Sequence, residues 1–91
     1  MNYPAWVTDP TVTQKVRDQR RIEFLIRRAA SLHTPNANVP ALAEAIGITP
    51  QALYAAMEKG SCTNQIAAAI ELLVGRSNMP RELLCPEKTD L

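Results

Sequence analysis

The chain has 91 residues, which allows one small domain and excludes a larger assembly of domains. Its apolar fraction is 46% and only four residues are Phe, Trp or Tyr, so the core must be built from Ala, Leu, Ile and Val, a composition that favours helices. The net charge of +1 is not typical of a protein with a strongly basic tail. No apolar run is long enough to span a membrane, and the first ten residues lack the features of a signal peptide, so we expect a cytoplasmic protein without a membrane partner.

A long helix is predicted in the first third of the chain. Asp9 is a good N-cap and Pro10 suits the first helical position, so we expect the helix to start there and to run to Leu32. Its apolar positions share one face at 100° per residue. Residues 1–38 carry six basic and three acidic side chains, which concentrates positive charge on this segment.

Arginines lie on the side of this helix away from its apolar face. Arg17, Arg21 and Arg28 are there, with Phe24 beside them. The simplest interpretation of these arginines, together with Arg20 and Arg27 of the same helix, is the solvated face of an amphipathic helix. Two functional interpretations stay open: the arginines could contact DNA phosphates, or an exposed Phe24 among them could anchor a partner protein.

Two short helices are predicted over residues 39–59. The first is ended by Gly47, and the second begins at the N-cap Thr49 and ends before Gly60. Ala43 supplies the small residue needed where two helices cross, and Gly47 tolerates the positive φ of a tight turn. Such a pair is either a helix-turn-helix or an arbitrary helical hairpin, and the agreement of the small, glycine and apolar positions favours the helix-turn-helix.

The remaining residues predict a fourth helix and a C-terminal turn. Ser61 or Thr63 caps the helix, Gly75 ends it, and one further turn is expected over Pro80–Leu84. We therefore expect an all-α bundle of about four to five helices with a long N-terminal helix. The whole chain forms one predicted domain in three segments: the N-terminal extension and long helix 1–38, the helix-turn-helix 39–59, and the C-terminal helices 61–86.

Four motifs follow one another in the second half of the chain: Leu42-Ala43-Glu44-Ala45-Ile46-Gly47-Ile48, then Lys59-Gly60, then the apolar helix from Ile66 to Glu71, then Arg81-Glu82-Leu83-Leu84-Cys85-Pro86. With these motifs, residues 39–86 resemble the Cro and YdaS type of small phage or prophage regulators. The resemblance implies a lambda-repressor-like, Cro-type fold. It also implies a role in transcription regulation, as a repressor or an antitoxin-like protein.

The segment from Thr49 to Lys59 is the helix expected to enter the major groove of DNA. The amide of Gln51 can bridge N6 and N7 of adenine, although it could equally be a solvated polar residue. Tyr54 could contact a sugar, a thymine methyl or a phosphate, or simply be half-buried. Thr49 and Lys59 suit the two ends of a helix as well as phosphate contacts. The candidate DNA-contact residues are Thr49, Gln51, Tyr54, Ala55, Lys59, Arg17, Arg21 and Arg28.

Catalytic and metal-binding constellations are not evident. Cys62 and Cys85 lack the spacing of zinc ligands, and His33 alone cannot complete a metal site, so we expect two reduced thiols. Glu44 and Glu58 fall on separate helices with no reason to pair. We expect neither an enzyme nor a bound metal or cofactor.

Two functions stay open from the sequence. In the first, the protein binds double-stranded DNA as a homodimer, joined through the N-terminal helix or the region after Gly75. In the second, it is a protein-interaction module whose amphipathic, arginine-rich N-terminal helix binds a partner protein. The charge balance of −1 over residues 39–79 supports the second, since affinity for DNA depends on phosphate neutralisation. The charge balance of +3 over residues 1–38 partly supports the first function, DNA binding.

Overall fold

Helices form the regular secondary structure of the computed structural model, which describes residues 2–85 and contains no strand in that range. Pro86, the last residue of the predicted C-terminal segment, lies outside the described residues. The all-α prediction is confirmed for the part of the chain that the structure describes, but six helices are found there instead of the expected four to five, because Ala5–Thr8 forms an additional one-turn helix. The helices are α1 (Ala5–Thr8), α2 (Gln14–His33), α3 (Val39–Ala45), α4 (Pro50–Lys59), α5 (Asn64–Val74) and α6 (Arg81–Leu84).

The predicted start of the long helix is wrong by several residues. The Asp9 carboxylate accepts hydrogen bonds from the backbone N–H of Thr11 at 2.9 Å and from its hydroxyl at 2.6 Å, which forms a local turn instead of a helix cap. Thr13 caps α2, because its hydroxyl accepts from the N–H of Val16 at 3.2 Å. The sequence offers two good caps four residues apart, and the additional one-turn helix α1 occupies the chain before the turn.

Helix α2 is the centre of the fold. It packs against all five other helices, and at 20 residues it is about 30 Å long. Burying a Leu or Ile side chain contributes about 1.5–3 kcal/mol relative to leaving it exposed, so this face supplies a large part of the driving force for folding. The buried residues of α2 are Ile22, Leu25, Ile26, Ala29 and Ala30.

Helices α3 and α4 are joined by a tight turn at Gly47. The N–H of Ile48 donates to the carbonyl of Ala43 at 3.0 Å, and that of Gly47 donates to Glu44 at 3.1 Å. These two bonds, with a φ of +77° at Gly47, form a Schellman motif that ends α3. Ala43 is fully buried, as expected for a small residue where helices pack closely. The turn therefore directs the chain straight into α4.

The chain after α4 is held against α2 at Gly60. Gly60 is buried with a φ of +90°, and a Cβ built there would lie 3.0 Å from the Cβ of Asp18. Further on, Thr63 caps α5, and the N–H of Cys62 donates to the carbonyl of Leu84 at 2.9 Å. These contacts fix the return of the chain from α4 to α5 and α6. Within residues 2–85, no helix has both the length and the apolar character needed to cross a membrane.

Candidate nucleic-acid interface

Helix α4 is buried on one side and open to solvent on the other. Leu53, Ala56 and Met57 face the core, where α2 and α3 pack against them. At 100° per residue the remaining positions form one continuous outward arc. The exposed residues of this arc, which we call the α4 face, are Gln51, Tyr54, Ala55, Glu58 and Lys59. The structure thus brings together four of the predicted contact residues on one surface, with Gln51 near its middle.

The N-terminus of α4 is capped by Thr49, the fifth predicted residue of this region. Its hydroxyl accepts from the N–H of Ala52 at 3.3 Å, and Pro50 occupies the first helical position. The capping interpretation of Thr49 is therefore confirmed, and the hydroxyl stays exposed at the end of the helix. No acidic side chain lies in the first turn, so the positive end of the helix dipole is not neutralised from within α4.

A groove runs between α2 and the Tyr54 edge of the α4 face. Tyr54 is 46% exposed and shares this groove with Arg20 and Arg27 of α2. Glu23 and Glu58 line the same groove, so its charges are balanced. The guanidinium of Arg27 lies 3.1 Å from the Glu23 carboxylate, and that of Arg20 donates to the carbonyl of Trp6 at 2.9 Å.

Sequence reasoning treated Arg20 and Arg27 as part of one arginine face with Arg17, Arg21 and Arg28, and did not place them beside α4. They are seven residues apart, which places them on the same side of α2 after two helical turns. At 100° per residue that side is rotated by about 80° from the line of Arg17 and Arg28. Helical periodicity could have separated the two lines of arginines, but it could not show which of them lies next to α4.

The predicted arginines 17, 21 and 28 are not beside α4. Arg17 donates to the carbonyls of Asp9 and Val12, at 3.1 and 2.8 Å. Arg21 donates to the carbonyl of Leu83 at 2.8 Å, which ties α2 to α6. Arg28 is exposed, and it lines a depression next to Ser77–Pro80 and Leu83 instead of the groove at Tyr54. Two of these three guanidinium groups therefore hold the fold together.

Phe24 is not the exposed aromatic residue that the sequence predicted. Tyr3 and Trp6 pack their ring edges on it, with centroid distances of 5.7 and 6.4 Å. Phe24 is partly buried against the core as a result. The N-terminal segment therefore covers part of Phe24, and the rest of its surface lines the depression beside Arg28.

The opposite edge of the α4 face borders a second, smaller groove. Ala52, Ala55 and Ile66 form its apolar floor, and Lys59 stands at its margin. Small side chains along this edge leave the helix backbone close to the surface. A bulky partner can therefore approach α4 more closely here than at Tyr54.

Both cysteines carry free thiols: Cys62 is buried and Cys85 is half-buried. Burial raises the pKa of the Cys62 thiol to about 12, so the thiol stays protonated at neutral pH. The Cys85 thiol donates to the Asn64 side-chain carbonyl at 3.2 Å. Within residues 2–85, no group of three or more His, Cys, Asp or Glu is placed to hold a metal ion.

Comparison with protein-family models, with curated proteins and with solved structures finds no match to this chain.

Proposed function

We propose that this protein is a sequence-specific DNA-binding regulator of transcription, in which α3 and α4 form a Cro-type helix-turn-helix. In this proposal α4 enters the major groove, and the protein acts as a repressor or an antitoxin-like factor of the phage or prophage type. One observation carries the proposal: α4 is capped and held from behind, with a polar outward face. The short turn at Gly47 and the buried Ala43 support it further.

Base recognition is assigned to the middle of the α4 face. The Gln51 amide is exposed near the N-terminal end of the helix, where it can accept from N6 and donate to N7 of one adenine. Ala55 lies one turn further along and is small enough to contact a thymine methyl. Tyr54 stands beside them at the edge of the groove to α2, where its hydroxyl can donate to a phosphate.

Phosphate contacts are assigned to groups that flank the α4 face. The exposed Thr49 hydroxyl lies at the N-terminus of α4, and Lys59 lies at the other end. Arg20 and Arg27 of α2 lie next to Tyr54 and take the role first expected of Arg17, Arg21 and Arg28. The pair of Arg27 with Glu23 is exposed, and such pairs contribute little, so Arg27 can exchange its partner for a phosphate.

A homodimer is part of the proposal, because one short recognition helix reads few base pairs. The structure favours α5 as its contact surface. Gln65, Ala68, Ala69 and Leu72 share the outward side of α5; none of them is charged, and Leu72 is 88% exposed. A face that meets its own copy places like residues opposite each other, so an uncharged face suits self-association.

Sedimentation measurements of the oligomeric state test whether this dimer forms. Leu72→Glu should shift the equilibrium to monomer, since it places two like charges in the contact. Leu32→Glu is the matched control, because Leu32 is also an exposed leucine, at 40%, but belongs to α2. A parent protein that stays monomeric at all concentrations, free and on DNA, would contradict this part of the proposal.

A protein-interaction module is the second candidate. The balanced charges of Arg20 and Arg27 against Glu23 and Glu58 favour it, because DNA affinity depends largely on phosphate neutralisation. On the arginine-rich side of α2, Tyr3 and Trp6 leave less of Phe24 open to such a partner than the sequence predicted. Such a protein should bind no duplex, even at low salt.

Selection of duplexes from a random pool tests the proposal. Bound sequences should converge on an inverted repeat whose half-sites are about one helical turn apart. On the selected site, Gln51→Ala should weaken binding by about 10- to 100-fold and should change binding to a scrambled duplex much less. Gln14→Ala is the control, because Gln14 is an exposed glutamine at the start of α2 whose partners are Arg17 and Asp18. No enrichment, or equal effects of both variants, would refute the proposal.

A further inference from the structure

A depression of about 560 Å³ lies between α2 and the segment that leads into α6. It shares no lining residue with the groove beside Tyr54. Its volume is within the range of small-molecule sites in proteins. The side chains that define it are Phe24, Arg28, Ser77, Asn78, Pro80 and Leu83.

Among the described residues, Arg28 is the one positively charged side chain that lines this depression. The other arginines of α2 are engaged: Arg17 and Arg21 with backbone carbonyls, Arg20 with the carbonyl of Trp6, and Arg27 with Glu23. Among residues 2–85, no side chain forms an ion pair or a hydrogen bond with the Arg28 guanidinium, and no acidic residue lines the depression. An exposed guanidinium next to apolar walls is therefore available to an external anion.

The apolar walls are held in place before any ligand binds. Tyr3 and Trp6 restrain the ring of Phe24 by T-shaped contacts. The backbone of Leu83 is held in place, because its carbonyl accepts a hydrogen bond from the Arg21 guanidinium at 2.8 Å. The Asn78 side-chain amide donates to the carbonyl of Val74 at 2.7 Å, which restrains this side chain. A preformed site loses less entropy on binding.

We propose that this depression binds a small organic carboxylate with an apolar, ring-sized body. The carboxylate pairs with Arg28 through two parallel N–H···O bonds, the geometry that a guanidinium offers to planar anions. The apolar body packs on Phe24, Pro80 and Leu83. The proposal does not rest on DNA binding, since none of these residues belongs to the α4 face.

Fluorescence of Trp6, the only tryptophan of the chain, reports on the site because its ring packs on Phe24. Phenylacetate titrated at constant ionic strength should give a saturable change with a dissociation constant of about 1 mM or tighter. Amide chemical shifts in a parallel titration should change around Phe24, Ser77 and Leu83. Phenethylamine, which has the same ring and the opposite charge, should not bind, and acetate should bind at least about tenfold more weakly.

Arg28→Met should weaken phenylacetate binding at least about tenfold, because it removes the guanidinium and keeps an unbranched, flexible stem. Arg27→Met is the matched control, since Arg27 is exposed on the neighbouring position of α2 and does not line the depression; its affinity should stay within about twofold of the parent. Circular dichroism checks that both variants are folded. The proposal is overturned if neither measurement shows saturation, if phenethylamine or acetate binds as well as phenylacetate, or if Arg28→Met has no effect.

Discussion

Two glycines are required at turns of the chain, each for a different physical reason. Gly47 and Gly60 both have positive φ, which an L-residue adopts at a cost of about 1–2 kcal/mol. A Cβ at Gly47 would meet no atom within 4 Å, whereas at Gly60 it would lie 3.0 Å from the Asp18 Cβ. The strain at Gly47 is therefore only conformational, and Gly60 adds a steric conflict with α2.

We predict that Gly60→Ala lowers the free energy of unfolding more than Gly47→Ala does. Gly47→Ala should lose about 1–2 kcal/mol from backbone strain alone. Gly60→Ala should lose more, because α2 and the chain after α4 must move apart. Urea denaturation of both variants measures the difference, and equal losses would show that α2 does not approach Gly60 as closely as described.

The buried thiol of Cys62 predicts how the free energy of unfolding depends on pH. Burial raises its pKa to about 12 in the folded protein, whereas an unfolded thiol titrates near its ordinary value of 9.0. Above pH 9 the unfolded chain loses this proton and the folded chain keeps it, so stability falls with a slope of up to about 1.4 kcal/mol per pH unit. The free energy of unfolding of Cys62→Ala should fall less steeply than that of the parent between pH 9 and 11. Parallel curves would contradict the burial of this thiol.

At the scale of helices, the residues at which a helix begins and ends were more predictable from the sequence than the elements it packs against. Thr49 and Gly60 gave the bounds of α4 because cap chemistry is local. The start of α2 was misplaced because Asp9 and Thr13 are both good caps, and only the turn at Thr11 decides between them. Whether Asp9 or Thr13 caps α2 depends on how α1 packs on α2, and a local sequence pattern does not predict that packing.

The α4 face could be listed from the sequence, because helical periodicity separates outward from inward positions. The arginines that flank it could not. Arg27 and Arg28 are adjacent in the chain, yet one lines the groove at Tyr54 and the other lines the depression at Phe24. Which side of α2 receives α4 is decided by the packing of the whole bundle.

The packing of α3 can be tested by a larger side chain at Ala43. Ala43 is fully buried, so Ala43→Leu should lower the free energy of unfolding by about 1–3 kcal/mol through overpacking. Ala45→Leu, at an exposed position of the same helix, should change it by less than about 0.5 kcal/mol. Thermal or urea denaturation compares them, and a parent-like transition for Ala43→Leu would mean that α3 is not closely packed at this position.

At the scale of the whole molecule, the positive charge of the first third of the chain is largely committed within the fold. Arg17 and Arg21 donate hydrogen bonds to backbone carbonyls. Fewer positive side chains are therefore available to a polyanion than the composition suggests. Binding to duplex DNA should therefore depend on salt through only a few phosphate contacts. Arg27→Gln should weaken binding to all duplexes alike and reduce the salt slope by about one. Arg17→Gln should leave that slope unchanged, and the opposite ranking in a salt titration would contradict the assignment of Arg27.

The claim that the α4 face is the DNA-binding surface is tested most directly by amide chemical-shift mapping of the full chain with a selected duplex. We predict that the largest changes fall on residues 49–55, with smaller changes at Arg20, Arg27 and Lys59. Changes confined to α5 around Leu72, or to the depression around Arg28, would contradict the claim, as would a spectrum that no duplex alters at low salt.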